Sequence, residues 1–152
     1  GGVRAISLED DDQVVAMELV QPEQELLVVT QKGFGKRTKV EEYKLQTRGG
    51  KGLLTYDKSK FKKTGELIGA MVVSDDEVLM INSDGIIIRI KASDVSRLGR
   101  ATQGVRIMRV ADDANIVSIA RVIKEDEDDT EEDSASAAEK EDGNSQVEIV
   151  LE

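Results

Sequence analysis

The most informative chemistry of the chain lies in one seven-residue segment, Gln46-Thr47-Arg48-Gly49-Gly50-Lys51-Gly52. Three glycines within four positions allow the backbone to adopt positive φ angles and to approach a flat or negatively charged surface. Arg48 and Lys51 supply charge-assisted hydrogen bonds to phosphate, and the backbone amides of the glycines can also donate to it. The segment is therefore predicted to bind phosphate groups. For Gly49 and Gly50 alone, the simpler interpretation is that they turn the chain between structural units.

The spacing of this segment excludes a nucleotide-binding loop. The pattern G-x-x-x-x-G-K-[ST] is not matched, and no strand, loop and helix follow one another there. The chain also contains no cysteine and no histidine, which excludes a thiol nucleophile, an imidazole base, a zinc finger and a disulfide framework. Residues 10–12 are three aspartates without metal-loop spacing, and Tyr43 and Tyr56 are interpreted as packing or surface residues. We therefore expect no catalytic residue, no metal and no cofactor in this chain.

Positive charge is clustered in two stretches. Residues 32–63 contain eleven Lys or Arg against three acids, and residues 86–109 contain six against one. The two stretches occupy equivalent places in successive copies of a repeat, so stacked copies are expected to line their charges along one edge. Such a strip suits a polyanion, and nucleic acid is the most common intracellular polyanion of matching length. The alternative is that these charges only keep β edges soluble and unpaired.

A repeat of about fifty residues organises the chain up to residue 123. Corresponding segments are residues 14–20, 67–73 and 116–122, residues 25–33 and 77–85, Arg48 and Arg100, and the glycines Gly2, Gly52 and Gly104. Most of these segments correspond at an offset of 52 or 53 residues. The chain therefore holds two full copies and the start of a third, and it is predicted to be a piece of a longer array.

Each copy consists of short segments rich in Val, Ile and Leu, separated by Gly, Asp, Asn and Ser, which is typical of strands and tight turns. Glu25–Thr30 and Glu77–Asn82 are predicted strands, and each is followed by a turn that ends in a glycine. Residues 14–20 are a predicted strand of the same kind. About four strands per copy is the size of one propeller blade, so we predict an all-β fold of propeller-like blades with few helices.

The net charge of -10 is unevenly divided along the chain. Residues 1–123 carry a net charge of +1, whereas residues 124–152 carry -11. Residues 124–146 contain no Ile, Leu, Val or Phe and cannot bury enough apolar surface to offset the entropy of ordering, so an acidic, disordered tail is predicted at residues 124–152. One hypothesis is that this tail competes with DNA as a tethered polyanion, and the other is that it only solubilises the protein. No apolar run approaches the ~20 residues of a membrane span, and a soluble intracellular protein is expected.

The segment Gln46 to Gly52 resembles the seven-residue box of the DNA gyrase A protein, Gln-Arg-Arg-Gly-Gly-Lys-Gly, and departs from it only at Thr47. Further segments resemble late blades of the C-terminal domain of that family. They are residues 2–8 with 12–15, Gly33-Phe34-Gly35-Lys36-Arg37-Thr38 with Glu42-Tyr43-Lys44, and residues 97–106. The resemblance covers residues 1–123, and an acidic tail after the last blade is also familiar in that family.

The resemblance implies a β-pinwheel, a disc of blades that bends double-stranded DNA around its basic rim without reading its sequence. Residues 1–123 are then a partial β-pinwheel, and the catalytic tyrosine, magnesium carboxylates and ATPase of a topoisomerase lie elsewhere, in the remainder of gyrase A and in its partner gyrase B. A bacterial cytoplasmic protein of the nucleoid, with no membrane partner, is implied. The predicted DNA-binding residues are Gln46, Arg48, Gly49, Gly50, Lys51, Gly52, Lys32, Lys36, Arg37, Lys39, Lys44, Arg97 and Arg100.

Two alternatives remain open at the level of the sequence. The first is the corresponding domain of topoisomerase IV, which generally has fewer blades and a degraded box, so the nearly intact box favours gyrase. The second is a propeller-type module that binds an acidic protein partner. A protein-only module would lack the steep salt dependence that is expected for a duplex of ~40 base pairs.

Overall fold

The computed structural model describes residues 1–123, and the predicted acidic tail lies outside the described residues. Seven strands and one short helix, together with three 3-10 turns, account for the regular structure in this range. The elements are β1 (Glu25–Thr30), β2 (Phe34–Lys39), α1 (Phe61–Thr64), β3 (Leu67–Val73), β4 (Glu77–Asn82), β5 (Ile87–Lys91), β6 (Val105–Arg106) and β7 (Ile116–Arg121). The prediction of an all-β fold with few helices is confirmed, and β1 and β4 have the predicted bounds.

The strands form two antiparallel sheets, with the orders β3-β1-β2-β6 and β5-β4-β7. At the centre of each sheet is a hairpin, β1 with β2 and β4 with β5. The hairpin turns place Gly33 and Gly85 at φ angles of 77° and 78°, a region that disfavours residues with a Cβ. Both turns predicted from the sequence are therefore present.

The sheets do not coincide with the repeat copies, which corrects the expectation that one copy folds as one blade. The first sheet combines the β1–β2 hairpin of the first copy with β3 from the second copy and β6 from the third. In the same way, β7 of the third copy pairs with β4 of the second. An isolated hairpin leaves two rows of unpaired N–H and C=O groups, and strands from later copies cover them. Successive copies are therefore joined by backbone hydrogen bonds.

Residues 14–20 form no strand in the structure, so this prediction was wrong. Their counterparts β3 and β7 pair with β1 and β4, the first hairpin strands of the preceding copies. Among the described residues, no strand pairs with residues 14–20. The apolar side chains of Met17 and Leu19 are accordingly 94% exposed. Apolar periodicity indicates a strand, but a strand also needs a partner for its backbone.

The core is built from aliphatic and methionine side chains, as the small number of aromatic residues predicts. Its buried members are Leu27, Val29, Met71, Val73, Val78, Met80, Ala92, Val95, Met108 and Ile116. They come from strands of both sheets and from the segments that follow β5 and β6. Alternate residues of β4 are buried, as expected for a strand with one face on the core. This core holds the strands in place. The loops that carry the positive charges begin where these strands end.

Candidate nucleic-acid interface

The first loop, residues 46–52, is a closed projection with a tight turn at its tip. At its base the Tyr43 hydroxyl and Thr55 Oγ1 are hydrogen-bonded, and within it the Gly50 amide donates to the Thr47 carbonyl at 3.4 Å. Gly49 occupies the third position of this turn with a φ of 75°, which is where a type II turn requires glycine. The glycines thus give the loop its shape, as the simpler interpretation of Gly49 and Gly50 proposed.

The first loop is fixed to the segment of residues 5–7. The Gly49 amide donates to the Ala5 carbonyl at 2.9 Å, and the Ser7 amide donates to the Gly50 carbonyl at 2.9 Å. The amides of Gly49 and Gly50 therefore already have acceptors within the protein. This corrects the expectation that these two amides donate to phosphate.

The charged side chains of the first loop point into solvent. Arg48 and Lys51 are exposed, and so is Lys44 just before the loop. Gln46 is exposed as well, and its side-chain amide donates to the Lys44 carbonyl at 3.2 Å. Gly52 ends the loop with a φ of 79°. The loop thus presents two cations on a backbone whose shape is set by hydrogen bonds.

The second loop, residues 97–104, corresponds to the first loop at an offset of 52 residues and lies beside it. The Arg100 guanidinium lies 6.0 Å from the centre of the Tyr43 ring, a cation–π contact, and Tyr43 also closes the base of the first loop. The Asp57 amide, which follows the first loop, donates to the Thr102 carbonyl at 3.3 Å. Two of the predicted cationic segments are therefore neighbours.

Lys36 was predicted to contact DNA, but the structure buries its side chain completely. Its ammonium donates to the Gly99 carbonyl at 2.6 Å, to the Arg100 carbonyl and to Thr102 Oγ1 at 3.1 Å. Burial lowers the pKa of Lys36 to about 8, although the charge of Glu42 opposes this effect. A phosphate cannot reach this ammonium, so Lys36 is a structural cation of the second loop.

Three other residues that were predicted to contact DNA also use their charged groups in ion pairs or hydrogen bonds within the protein. The Arg37 guanidinium forms an ion pair with Glu25 and donates to the Val95 carbonyl at 2.8 Å, and Arg97 pairs with the same carboxylate. The Lys32 ammonium donates to two backbone carbonyls near residue 113 at 2.8 Å each. Arg37 is largely buried, whereas 55% of the Arg97 side chain is exposed. Of the three predicted contacts on β2, which are Lys36, Arg37 and Lys39, only Lys39 is exposed.

A cationic group that was not among the predicted site residues follows the first loop. Lys58 and Lys60 are exposed on the turn that leads into α1, and Lys62 is exposed within α1. Beside them, the Lys63 ammonium and the Arg106 guanidinium lie 5.6 and 5.0 Å from the centre of the Phe34 ring. The signal was present in the sequence, because four of the six residues from 58 to 63 are lysines.

Among residues 1–123, no group of three or more acidic side chains is placed to hold a metal ion. No helix among the described residues is long and apolar enough to cross a membrane.

Comparison with known proteins places these loops in a family. The family model described as "DNA gyrase C-terminal domain, beta-propeller" matches residues 1–21, 24–74 and 76–123. The DNA gyrase A protein of Mycolicibacterium smegmatis is 43% identical over 129 residues, which are 83% of this chain and 15% of that protein. The DNA gyrase A protein of Staphylococcus aureus NCTC 8325 is 40% identical over 140 residues, 90% of this chain and 16% of that protein. The chain thus spans about a sixth of the length of these relatives.

Solved structures agree on the fold. A DNA gyrase A C-terminal domain superposes with a TM-score of 0.61 at 32% identity, over 65% of this chain and 33% of that one. The C-terminal domain of a DNA topoisomerase IV superposes with a TM-score of 0.72 at 22% identity, over 79% of this chain and 38% of that one, and this likeness concerns the fold alone. The predicted propeller-like architecture of the β-pinwheel type is confirmed.

Proposed function

The chain belongs to the family of DNA gyrase C-terminal domains, and on this premise we propose that it is a non-catalytic module that binds and bends double-stranded DNA. The observation that carries the proposal is the meeting of the first and second loops at Tyr43. This contact places Arg100 of the second copy at the base of the loop that carries Arg48 and Lys51 of the first copy. A duplex that follows this region would meet cations from one copy after another.

Binding is electrostatic in this proposal. Lysine and arginine side chains neutralise phosphates and release condensed counterions, which favours association independently of base sequence. Bending the duplex costs elastic energy, and additional phosphate contacts along a curved surface offset that cost. The proposed contact set is revised accordingly to side chains that the fold leaves wholly or partly exposed. It comprises Lys39, Lys44, Arg48, Lys51, Lys58, Lys60 and Lys62, with Arg97 and the half-buried Arg100 at the second loop.

The test is a salt series of duplex binding, measured by fluorescence anisotropy on a labelled duplex of ~40 base pairs. For ~4 to 8 phosphate contacts, the logarithm of the affinity should fall against the logarithm of the salt concentration with a slope of about -4 to -7. Replacing Arg48 and Lys51 by Ala removes two contacts, so it should weaken binding and make the slope less steep by about 2.

Gln46→Ala is the matched control, because Gln46 lies in the same loop, is exposed and carries no charge. The control should keep the slope of the wild-type chain. An unchanged slope in the Arg48→Ala, Lys51→Ala variant would remove these residues from the contact set. Absence of salt-dependent duplex binding by the wild-type chain would refute the proposed function and favour a module that binds a protein partner.

We further propose that the module serves within a DNA gyrase A protein that works with gyrase B on chromosomal DNA in the bacterial cytoplasm. Its support is the family and the sixfold greater length of the relatives, whose remaining residues would hold the cleavage chemistry. In this role, bent DNA is presented to the cleavage site with a fixed handedness, and ATP-driven strand passage introduces negative supercoils. The same double variant in a reconstituted gyrase should reduce supercoiling more than relaxation of negatively supercoiled DNA.

A further inference from the structure

Lys36 lies where the first two copies of the repeat meet. The residue itself belongs to β2 of the first copy, and its ammonium is 5.9 Å from the centre of the Tyr56 ring, near the start of the second copy. Its three hydrogen-bond acceptors belong to the second loop, at the end of the second copy. The Thr38 hydroxyl, two residues along β2, donates to the Leu98 carbonyl at 2.8 Å and extends the same attachment.

We propose that Lys36 is a positioning residue, which holds the second loop against the first and thereby sets the spacing of Arg100 from Arg48 and Lys51 along the bound duplex. The inference rests on the proposed function and extends it. Lys36 itself would not touch DNA, because its side chain is fully buried.

The chemistry of the second loop requires a donor at this position. Its turn points two backbone carbonyls and one hydroxyl towards the same spot, and a lysine ammonium offers three donors to match them. An apolar side chain there would remove all three of these hydrogen bonds, and the Gly99 and Arg100 carbonyls would keep only their bonds from Thr102. The sheet itself does not require the charge, because the equivalent position of β5 in the second copy is Ile88. Lys36 therefore serves the loop rather than the strand.

Burial of the Lys36 ammonium costs free energy, because the charged group loses its hydration. Burial lowers the pKa of its ammonium, and only Glu42 is close enough to oppose this effect by its charge. The other titratable group that faces it is Tyr56, whose own pKa is raised by burial. Lys36→Met removes three hydrogen bonds but also the cost of burying a charge, so the fold is expected to survive the change. A loss of function would then separate positioning from folding.

The first experiment compares the 152-residue chain with its Lys36→Met variant, which approximately keeps the length of the side chain and removes its charge. Hydrogen exchange of the Asp57 amide, which donates to the second loop, should become faster in the variant. Duplex affinity at about 100 mM salt should fall by about 3- to 10-fold, and the salt slope should become less steep by about 1. Unchanged exchange together with unchanged affinity would overturn the inference.

A double-mutant cycle with Arg100→Ala tests whether Lys36 acts through that side chain. If it does, Lys36→Met should weaken binding much less in the Arg100→Ala background than in the wild-type background. Equal effects in both backgrounds would overturn the inference. Val78→Ala, a change in the core of the second sheet, is the control for general destabilisation and should leave the salt slope unchanged.

Two further outcomes are distinguished by the design. If Lys36→Met fails to fold, Thr102→Val removes one acceptor of the ammonium without altering β2, and it should change exchange and affinity in the same direction. A Thr102→Val variant with wild-type exchange and affinity would contradict the inference. If the wild-type chain binds no duplex, the proposed function fails and the role of Lys36 on DNA fails with it. The exchange of the Asp57 amide still decides whether Lys36 organises the second loop.

Discussion

Lys36 keeps its ammonium away from water, and this location links the stability of the protein to pH. Burial lowers the pKa of the group from its ordinary value of 10.5 to about 8 in the folded protein. In the unfolded chain the ammonium is hydrated and returns to its ordinary pKa. Between these two values the unfolded chain binds more protons than the folded protein.

The free energy of unfolding should therefore rise with pH from about 8 towards 10, because deprotonation relieves the desolvation of a buried charge only in the folded state. The Lys36→Met variant lacks this group and should lack the rise. Urea denaturation at several pH values between about 7.5 and about 9.5 measures the effect. Above that range the raised pKa of Tyr56 acts in the opposite direction, because the folded protein then keeps a proton that the unfolded chain has lost.

The difference between the two proteins isolates Lys36, because every other titratable group is common to both of them. Parallel curves of unfolding free energy against pH would show that Lys36 has an ordinary pKa in the folded protein. They would also remove the support that burial of the charge gives to its positioning role.

At the scale of elements, the two hairpins have the same turn in different surroundings. Gly33 and Gly85 have φ angles within 1° of each other and correspond at an offset of 52 residues. A Cβ at Gly85 would meet no heavy atom within 4 Å, whereas a Cβ at Gly33 would overlap the Met108 carbonyl. The Gly33 carbonyl also accepts from the amides of Ile107 and Met108 at 2.8 and 3.1 Å. The first hairpin turn is thus a docking point for the third copy.

Gly33→Ala and Gly85→Ala should therefore differ in stability although their backbone strain is equal. Each change should cost about 1 to 2 kcal/mol for an alanine at positive φ. Gly33→Ala should cost about 1 to 3 kcal/mol more, because the docked segment must move away from the added methyl group. Thermal or urea unfolding of the two variants gives the comparison. Equal losses would indicate that the contact with residues 107–108 contributes little.

At the scale of the whole molecule, the balance of charge divides the chain. Residues 1–123 are nearly neutral overall. A cationic surface therefore requires that some of their acidic side chains form ion pairs within the fold. Glu25 binds both Arg37 and Arg97, and Glu77 binds Arg89 at the equivalent position of the second copy. Residues 124–152 have a net charge of -11 and belong to the same chain. Their acids are a candidate competitor for any polyanion that binds the loops.

Deletion of residues 124–152 should tighten duplex binding several-fold at about 50 mM salt and change it little at about 300 mM, because salt screens attraction between a tethered acidic tail and a basic surface. Anisotropy titrations of both chains at the two salt concentrations measure this. Equal affinities of the two chains at low salt would favour a tail that only solubilises the protein.

The amino-acid sequence by itself determined the repeat, the predominance of strands and the bounds of β1 and β4. Alternation and apolar runs define β1 and β4, because a strand buries its side chains with a period that is visible in the sequence. Glycines at the hairpin turns and in the first loop were informative for a similar reason, since positive φ is a local requirement. The family resemblance, carried by residues 46–52, also came from the sequence.

Only the tertiary structure decided which cations are free and which strands are partners. Lys36 and Arg48 are both basic residues of one cluster, yet one is buried among carbonyls and the other is exposed. Residues 14–20 have the pattern of β3, but they form no strand in the structure. Burial, ion pairing and strand pairing depend on residues that are about 40 to 80 positions apart, as the bond from Lys32 to the Ala114 carbonyl illustrates. A local pattern identifies a charge or a strand, and the packing of distant segments determines what each of them contacts.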